Sequence, residues 1–168
     1  VELTHTDQNT GIDLGIKDLC ITSKGKKYEN PKTIRKYEKK LAKLQRQLAH
    51  KKKRSQNYNK IKKKIALCHE KITNSRKDYL HKISHEIISE NQVIVSENLQ
   101  IQNMVKDHHL AKAISDVSWY ELTRQLEYKA KWNGRKYIKI DTFYASSQLC
   151  SVCGYQNTEI KDLSIREW

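Results

Sequence analysis

The sequence predicts an α/β fold in which a sheet of short strands is interrupted by a long antiparallel pair of helices. Three observations carry that expectation. Short apolar stretches with strand character open the chain near residues 9–28. A helical repeat of three and four residues then runs from Ile34 to Ile87. Strand-like stretches return at Val93–Val95 and at Arg135–Asp141, on either side of another helical stretch.

In "NTGIDLGIKD", residues 9–18, Ile12 and Leu14 fall on one face of a strand and Asp13 on the other, because successive side chains alternate. "LCITSKGKKYEN" reads as a hairpin: Leu19–Thr22, a turn at Lys24-Gly25, and a return strand through Tyr28. Pro31 stands where a helix can begin. Ile34, Tyr37, Leu41, Leu44 and Leu48 form an apolar helical stripe. "HKKKRSQNYN" interrupts it, and Ile61, Ile65, Cys68, Ile72, Tyr79, Ile83 and Ile87 resume it. Two amphipathic helices joined near residues 51–58 can pack these stripes together. The run Val93, Ile94, Val95 suits a strand buried on both faces, with Glu97 at its end. Residues 110–133 read as a helix that Gly134 can stop, and "RKYIKID" as a strand that ends at Asp141. Trp119, Tyr120 and Trp132 are expected in the core or at its rim.

Composition narrows the partner class. The 168 residues carry 33 Lys and Arg against 19 acidic residues, a formal charge of +14. All of that excess lies in residues 31–90, which hold 19 basic and 5 acidic residues. A solvated helical surface mixes signs, with Glu–Lys pairs along it. This one does not, so its expected partner is the phosphate backbone of a nucleic acid. The candidate contacts are Lys51, Lys52, Lys53, Arg54, Lys62, Lys63 and Lys64, with Arg124 on the later helix. No apolar run approaches the roughly 20 residues of a membrane-spanning helix. "VELTHTDQNTG" does not read as a signal peptide. Four cysteines, two of them in Cys150-x-x-Cys153, fit a reducing compartment and metal ligation better than a disulfide framework, so the cytoplasm is the default expectation.

Asp13 and Glu97 each put a carboxylate on or just after an apolar strand, where an unpaired charge is costly. Two explanations stand on the residues alone. Metal-dependent phosphodiester cleavage needs carboxylates converging from neighbouring strands on hard cations about 4 Å apart. Strand-end carboxylates can equally be bonded by backbone amides or basic side chains. Cys150 and Cys153 supply two ligands where a structural zinc site takes four. Cys20 and Cys68 read as buried thiols, and His81 with His85 as a helical pair lacking a third ligand.

"GIDLGIKD", "VIVSENLQIQNMVKDHHLAKAISDVSWYELTRQLEYKAKWNGRKYIKID" and "YASSQLCSVCGYQN" follow one another in an order and spacing that resembles the TnpB/OrfB family. These are transposon-encoded, RNA-guided DNA endonucleases. The resemblance extends from Gly11 to Trp168 and implies an RNase H-like, RuvC-type mixed sheet with an inserted helical hairpin and a zinc ribbon. It divides the chain into two parts of a RuvC-like core, residues 1–30 and 91–141. Residues 31–90 become the basic hairpin insertion, and residues 142–168 an incomplete ribbon. It makes Asp13 and Glu97 catalytic carboxylates of a two-metal Mg²⁺ site. It implies guide RNA and target DNA as partners, with neither a membrane nor a small-molecule substrate.

The family pattern continues past "LSIREW" with a second C-x-x-C and a helix bearing a third carboxylate, and it begins with a region that recognises the guide RNA. Against that pattern the chain reads as an internal fragment, truncated at both ends. Zn²⁺ is then not expected to be held by Cys150 and Cys153 alone, and cleavage by the isolated chain is expected to be very weak or absent. A catalytically inactive nucleic-acid-binding remnant is the alternative. Ala145 departs from the proline usual in the family. "GIDLG" also resembles the first phosphate loop of actin-type ATPases, but no later glycine pair forms the loops those enzymes need.

Overall fold

The computed structural model describes residues 3–99, 118–141, 148–150 and 152–157. Five strands form one sheet in the order β3-β2-β1-β4-β5. They are β1 (Asn9–Leu14), β2 (Asp18–Thr22), β3 (Lys27–Glu29), β4 (Val93–Glu97) and β5 (Lys136–Ile140). The first three pair antiparallel; β4 and β5 add on in parallel. The described helices are α1 (Thr33–Ala49), α2 (Gln56–Glu90) and α3 (Trp119–Trp132).

Alternation in β1 sets the faces. Thr10, Ile12 and Leu14 are buried, while Asp13 is exposed. The hairpin turns at Gly25, whose φ of 81° suits glycine, and the Thr22 carbonyl accepts from the Gly25 N–H at 2.8 Å. Asn30 prepares the entry to α1: its side chain donates to the Ile16 carbonyl and accepts from the Lys32 N–H. The helix begins at Thr33, two residues beyond Pro31, after Lys32 in a left-handed conformation.

A six-residue connection, His50–Ser55, separates α1 from α2, and the Ser55 hydroxyl caps α2 by accepting from the Tyr58 N–H. Helix α2 is one continuous rod of 35 residues that serves two cores. Its first half packs Cys68 and Ile72 against Leu44 of α1, with Ile34, Tyr37, Leu41 and Ile65 around them. Its second half presents Leu80, Ile83, Ile87 and Ile88 to the sheet, where they meet Ile12, Leu19, Ile94, Leu122 and Leu126. Lys26, in the hairpin, pairs with Glu86 and Glu90 at the end of α2.

Strand β4 differs from its expected two-sided burial. Ile94 and Ser96 are buried, whereas Val93, Val95 and Glu97 are only half-covered. The reason is packing: α2 and α3 bury the face that carries Ile12 and Ile94. Helix α3 ends before Gly134, whose φ is 64°. Expectations for residues 110–117 and for Ala145 concern residues outside those described. Among the described residues, no helix is long and apolar enough to cross a membrane.

Candidate active site and nucleic-acid interface

The parallel register of β1 and β4 pairs Gly11 with Val95 and Ile12 with Ser96. One step further along both strands stand Asp13 and Glu97. Alternation turns both to the half-open face, and both line one cleft of about 580 Å³ with Gly11, Ser23, Val95 and Ile140. Asp13 is exposed and Glu97 half-buried. Burial, and then the negative charge of Asp13, push the Glu97 carboxyl above its usual range. The same two causes push the buried Cys20 thiol up to about 12.

Ser23 steadies β1 at Gly11, two residues before Asp13. Its N–H donates to the Gly11 carbonyl at 2.8 Å, its hydroxyl accepts from the Gly11 N–H at 3.1 Å, and it shares a 3.3 Å hydrogen bond with Thr10. A lone serine after a strand gives no sequence signal of this role. Two converging carboxylates, one penalised by the other's charge, suit a hard divalent cation with oxygen ligands. Among the described residues no group of three His, Cys, Asp or Glu side chains gathers. Asp13 and Glu97 therefore stand as a pair, and His81 with His85 has no third donor among those residues.

The hairpin carries the second candidate surface. Lys51, Lys52, Lys53 and Arg54 are exposed in the α1–α2 connection, and Lys62, Lys63 and Lys64 are exposed early in α2. Between the helices runs a groove of about 610 Å³, lined by Lys40, Lys43, Lys64 and Lys71 around Leu44 and Cys68. Of these lysines only Lys64 is a candidate from the sequence. Lys40, Lys43 and Lys71 flank the apolar stripe, a signal that gains meaning once the two helices are packed. Among the described residues, no acidic side chain lines the groove.

Arg124 lies on α3, outside the lining of the α1–α2 groove. Its guanidinium donates twice to Glu121, at 2.9 and 2.8 Å, and sits 5.4 Å from the centre of the Tyr128 ring. Those hydrogen bonds, ahead of every other cause, hold the Glu121 carboxyl down at about 2.

Cys150 and Cys153 lie in a tight turn. The Cys150 carbonyl accepts from the Gly154 N–H, the Cys150 N–H donates to the Tyr155 carbonyl, and Leu149 pairs with Gln156. The backbone N–H groups of Cys153 and Val152 lower the Cys150 thiol, which favours the thiolate a metal needs. Two thiols here fit half of a tetrahedral zinc site.

Three comparisons bear on this arrangement. A family model, OrfB_IS605, described as "Probable transposase", matches residues 2–108, and a second, "Cas12f1-like, TNB domain", matches residues 119–168. A Streptomyces pristinaespiralis protein named "Putative RNA-guided DNA endonuclease" is 44% identical over 163 residues, covering 97% of this chain. Escherichia coli InsQ, under the same description, is 37% identical over 164 residues and 89% of the chain. This chain spans 40% of the length of each. A solved structure, "Cryo-EM structure of the Cas12f1-sgRNA-target DNA complex", shares the fold, with a TM-score of 0.59 at 19% identity over 95% of this chain and 34% of that one. By the family match and the two bacterial relatives, the chain belongs to the TnpB-like OrfB_IS605 family of transposon proteins.

Proposed function

We propose that this chain forms the nuclease core of an RNA-guided DNA endonuclease, with Asp13 and Glu97 as ligands of a divalent cation such as Mg²⁺. The observation that carries the reading is the register of β1 and β4, which sets two acidic side chains side by side in one open cleft. The antiparallel-then-parallel sheet supports an RNase H-like, RuvC-type assignment. The names of the bacterial relatives support the activity. The Cas12f1 structure, solved with sgRNA and target DNA, supports guide RNA and target DNA as partners.

A cation held there by Asp13 and Glu97 would supply Lewis-acid charge at a phosphoryl oxygen and make an attacking water more acidic. The protein's own part is positional. Asp13 offers the solvent-facing carboxylate, and Glu97 the half-buried one. Ser23 fixes the strand that carries Asp13. The hairpin lysines hold a sugar–phosphate backbone by charge, so base pairing with the guide reads the sequence. Cys150 and Cys153 contribute two ligands to a zinc ribbon, which needs two more.

The test has two readouts. With Mg²⁺ or Mn²⁺, any nicking of single-stranded DNA should be abolished by Asp13→Ala and by Glu97→Ala. Independently of turnover, Fe²⁺ with ascorbate should cut the polypeptide near the ends of β1 and β4, and Asp13→Asn with Glu97→Gln should remove those cuts. Nicking that survives both alanine variants, or iron-directed cuts that survive both ligand variants, would overturn the assignment.

A further inference from the structure

Helix α3 has one face in the core and another that no described element covers. Trp119, Leu122, Gln125, Leu126 and Ala130 are buried. Trp119 also donates its indole N–H to the Gly15 carbonyl, as a core residue would. Tyr120 and Trp132, expected at the core or its rim, are instead 68% and 72% exposed. They belong to a row spaced by four residues: Tyr120, Arg124, Tyr128 and Trp132. Such a row runs along one side of a helix.

Arg124, Tyr128 and Trp132 of this row touch. The Tyr128 and Trp132 rings meet edge to face with centroids 4.6 Å apart. Arg124 lies over the other end of Tyr128, and Glu121 holds its guanidinium plane in place with two hydrogen bonds. The result is a preorganised π surface, not scattered apolar side chains. Its Tyr120–Arg124 end enters a cavity of about 240 Å³ shared with Thr123, Lys139 and Glu97. Glu97 also lines the cleft of Asp13, so the row leads into the candidate active site.

We infer that this row is a stacking platform for single-stranded DNA, which guides the strand toward the Asp13–Glu97 cleft. Two points favour that occupant. Aromatic rings interleaved with arginine bind bases through their faces without reading sequence. The row also ends in the cavity that Glu97 lines, so a strand lying along it reaches the candidate carboxylates. The choice of DNA over RNA rests on the proposed nuclease reading, in which the strand delivered to the carboxylates is DNA.

The experiment titrates the 168-residue chain with a twelve-residue thymidine oligonucleotide and reads both affinity and tryptophan emission. Tyr120→Ala and Trp132→Ala should each weaken binding about tenfold, within the range for loss of one stacked base. In a Trp168→Phe background, Trp132→Phe should restore most of the affinity while removing the emission quench, because the remaining Trp119 is buried. Circular dichroism should not change, since both altered side chains are exposed. Unaltered affinity in both alanine variants would overturn the platform. A uridine oligonucleotide binding as tightly, with the same quench, would overturn the assignment to DNA. Failure of the nuclease reading is seen separately, in iron-directed cutting near Asp13 and Glu97, which requires no oligonucleotide.

Discussion

Replacing Lys40, Lys43, Lys64 and Lys71 together with glutamine removes the four cationic groups lining the α1–α2 groove and leaves its apolar floor intact. All four side chains are exposed, so each change should alter stability by no more than about 0.5 kcal/mol. Binding is another matter. Each phosphate contact contributes about 0.9 to the slope of log affinity against log salt on a duplex, so four contacts carry about 3.6. Between about 50 and 200 mM salt, a fourfold change, a slope of that size amounts to about 150-fold in affinity. The assay is fluorescence anisotropy with an RNA–DNA heteroduplex across that range. The quadruple variant should bind more weakly at low salt, with a slope reduced by about 2 to 4. A companion variant with Lys51, Lys52, Lys53 and Arg54 changed to alanine reports on the exposed connection. If the groove variant keeps the parental slope while the connection variant loses its own, the groove does not hold phosphates. If neither slope changes, the hairpin is a solvated arm.

Two further predictions concern how α3 is held. Ser84 and Gln125 are fully buried; the Ser84 hydroxyl donates to the Gln125 side-chain carbonyl at 2.9 Å and accepts from the Lys129 ammonium at 2.7 Å. Ser84→Ala deprives both of a partner, and burial already lowers the Lys129 ammonium, so urea unfolding should show a loss of about 1–3 kcal/mol; a loss below about 0.5 kcal/mol would refute the role of this network. Glu121, held down at about 2 by Arg124, stabilises the fold above its unfolded titration range, and that contribution is lost as pH falls toward about 2. Thermal melts should therefore show Glu121→Gln less stable than the parent at neutral pH and converging with it in acid; a difference independent of pH would show that the ion pair is not its source.

Local chemistry makes the strands readable. The alternation Ile12, Asp13, Leu14 announces which side of β1 faces water, and the stripe from Ile34 to Ile87 announces two long helices. What stays hidden depends on which elements become neighbours. Nothing in the stripe marks where α2 leaves α1 and begins to cover the sheet, because Ile72 and Ile83 are equally apolar yet belong to different cores. The Val93–Val95 run has the pattern of a strand buried on both sides, but burial requires a second layer, and the described helices supply one on a single face. Lys40, Lys43 and Lys71 are less conspicuous along the chain than the denser runs Lys51–Arg54 and Lys62–Lys64. Density along the chain is not convergence in space. Residue type alone points Tyr120 and Trp132 toward packing; Tyr120 lies across the helix from Leu122, and Trp132 is the last residue of α3, and both are exposed.

The pairing of Asp13 with Glu97 depends on a parallel register between strands separated by two helices, and it is the point on which the account rests. The most direct measurement is calorimetric titration of the chain with Mn²⁺ at neutral pH, alongside Asp13→Asn and Glu97→Gln. Saturable binding by the parent, lost in either variant, is the predicted result. Equal binding by all three proteins, or none by the parent, would contradict it.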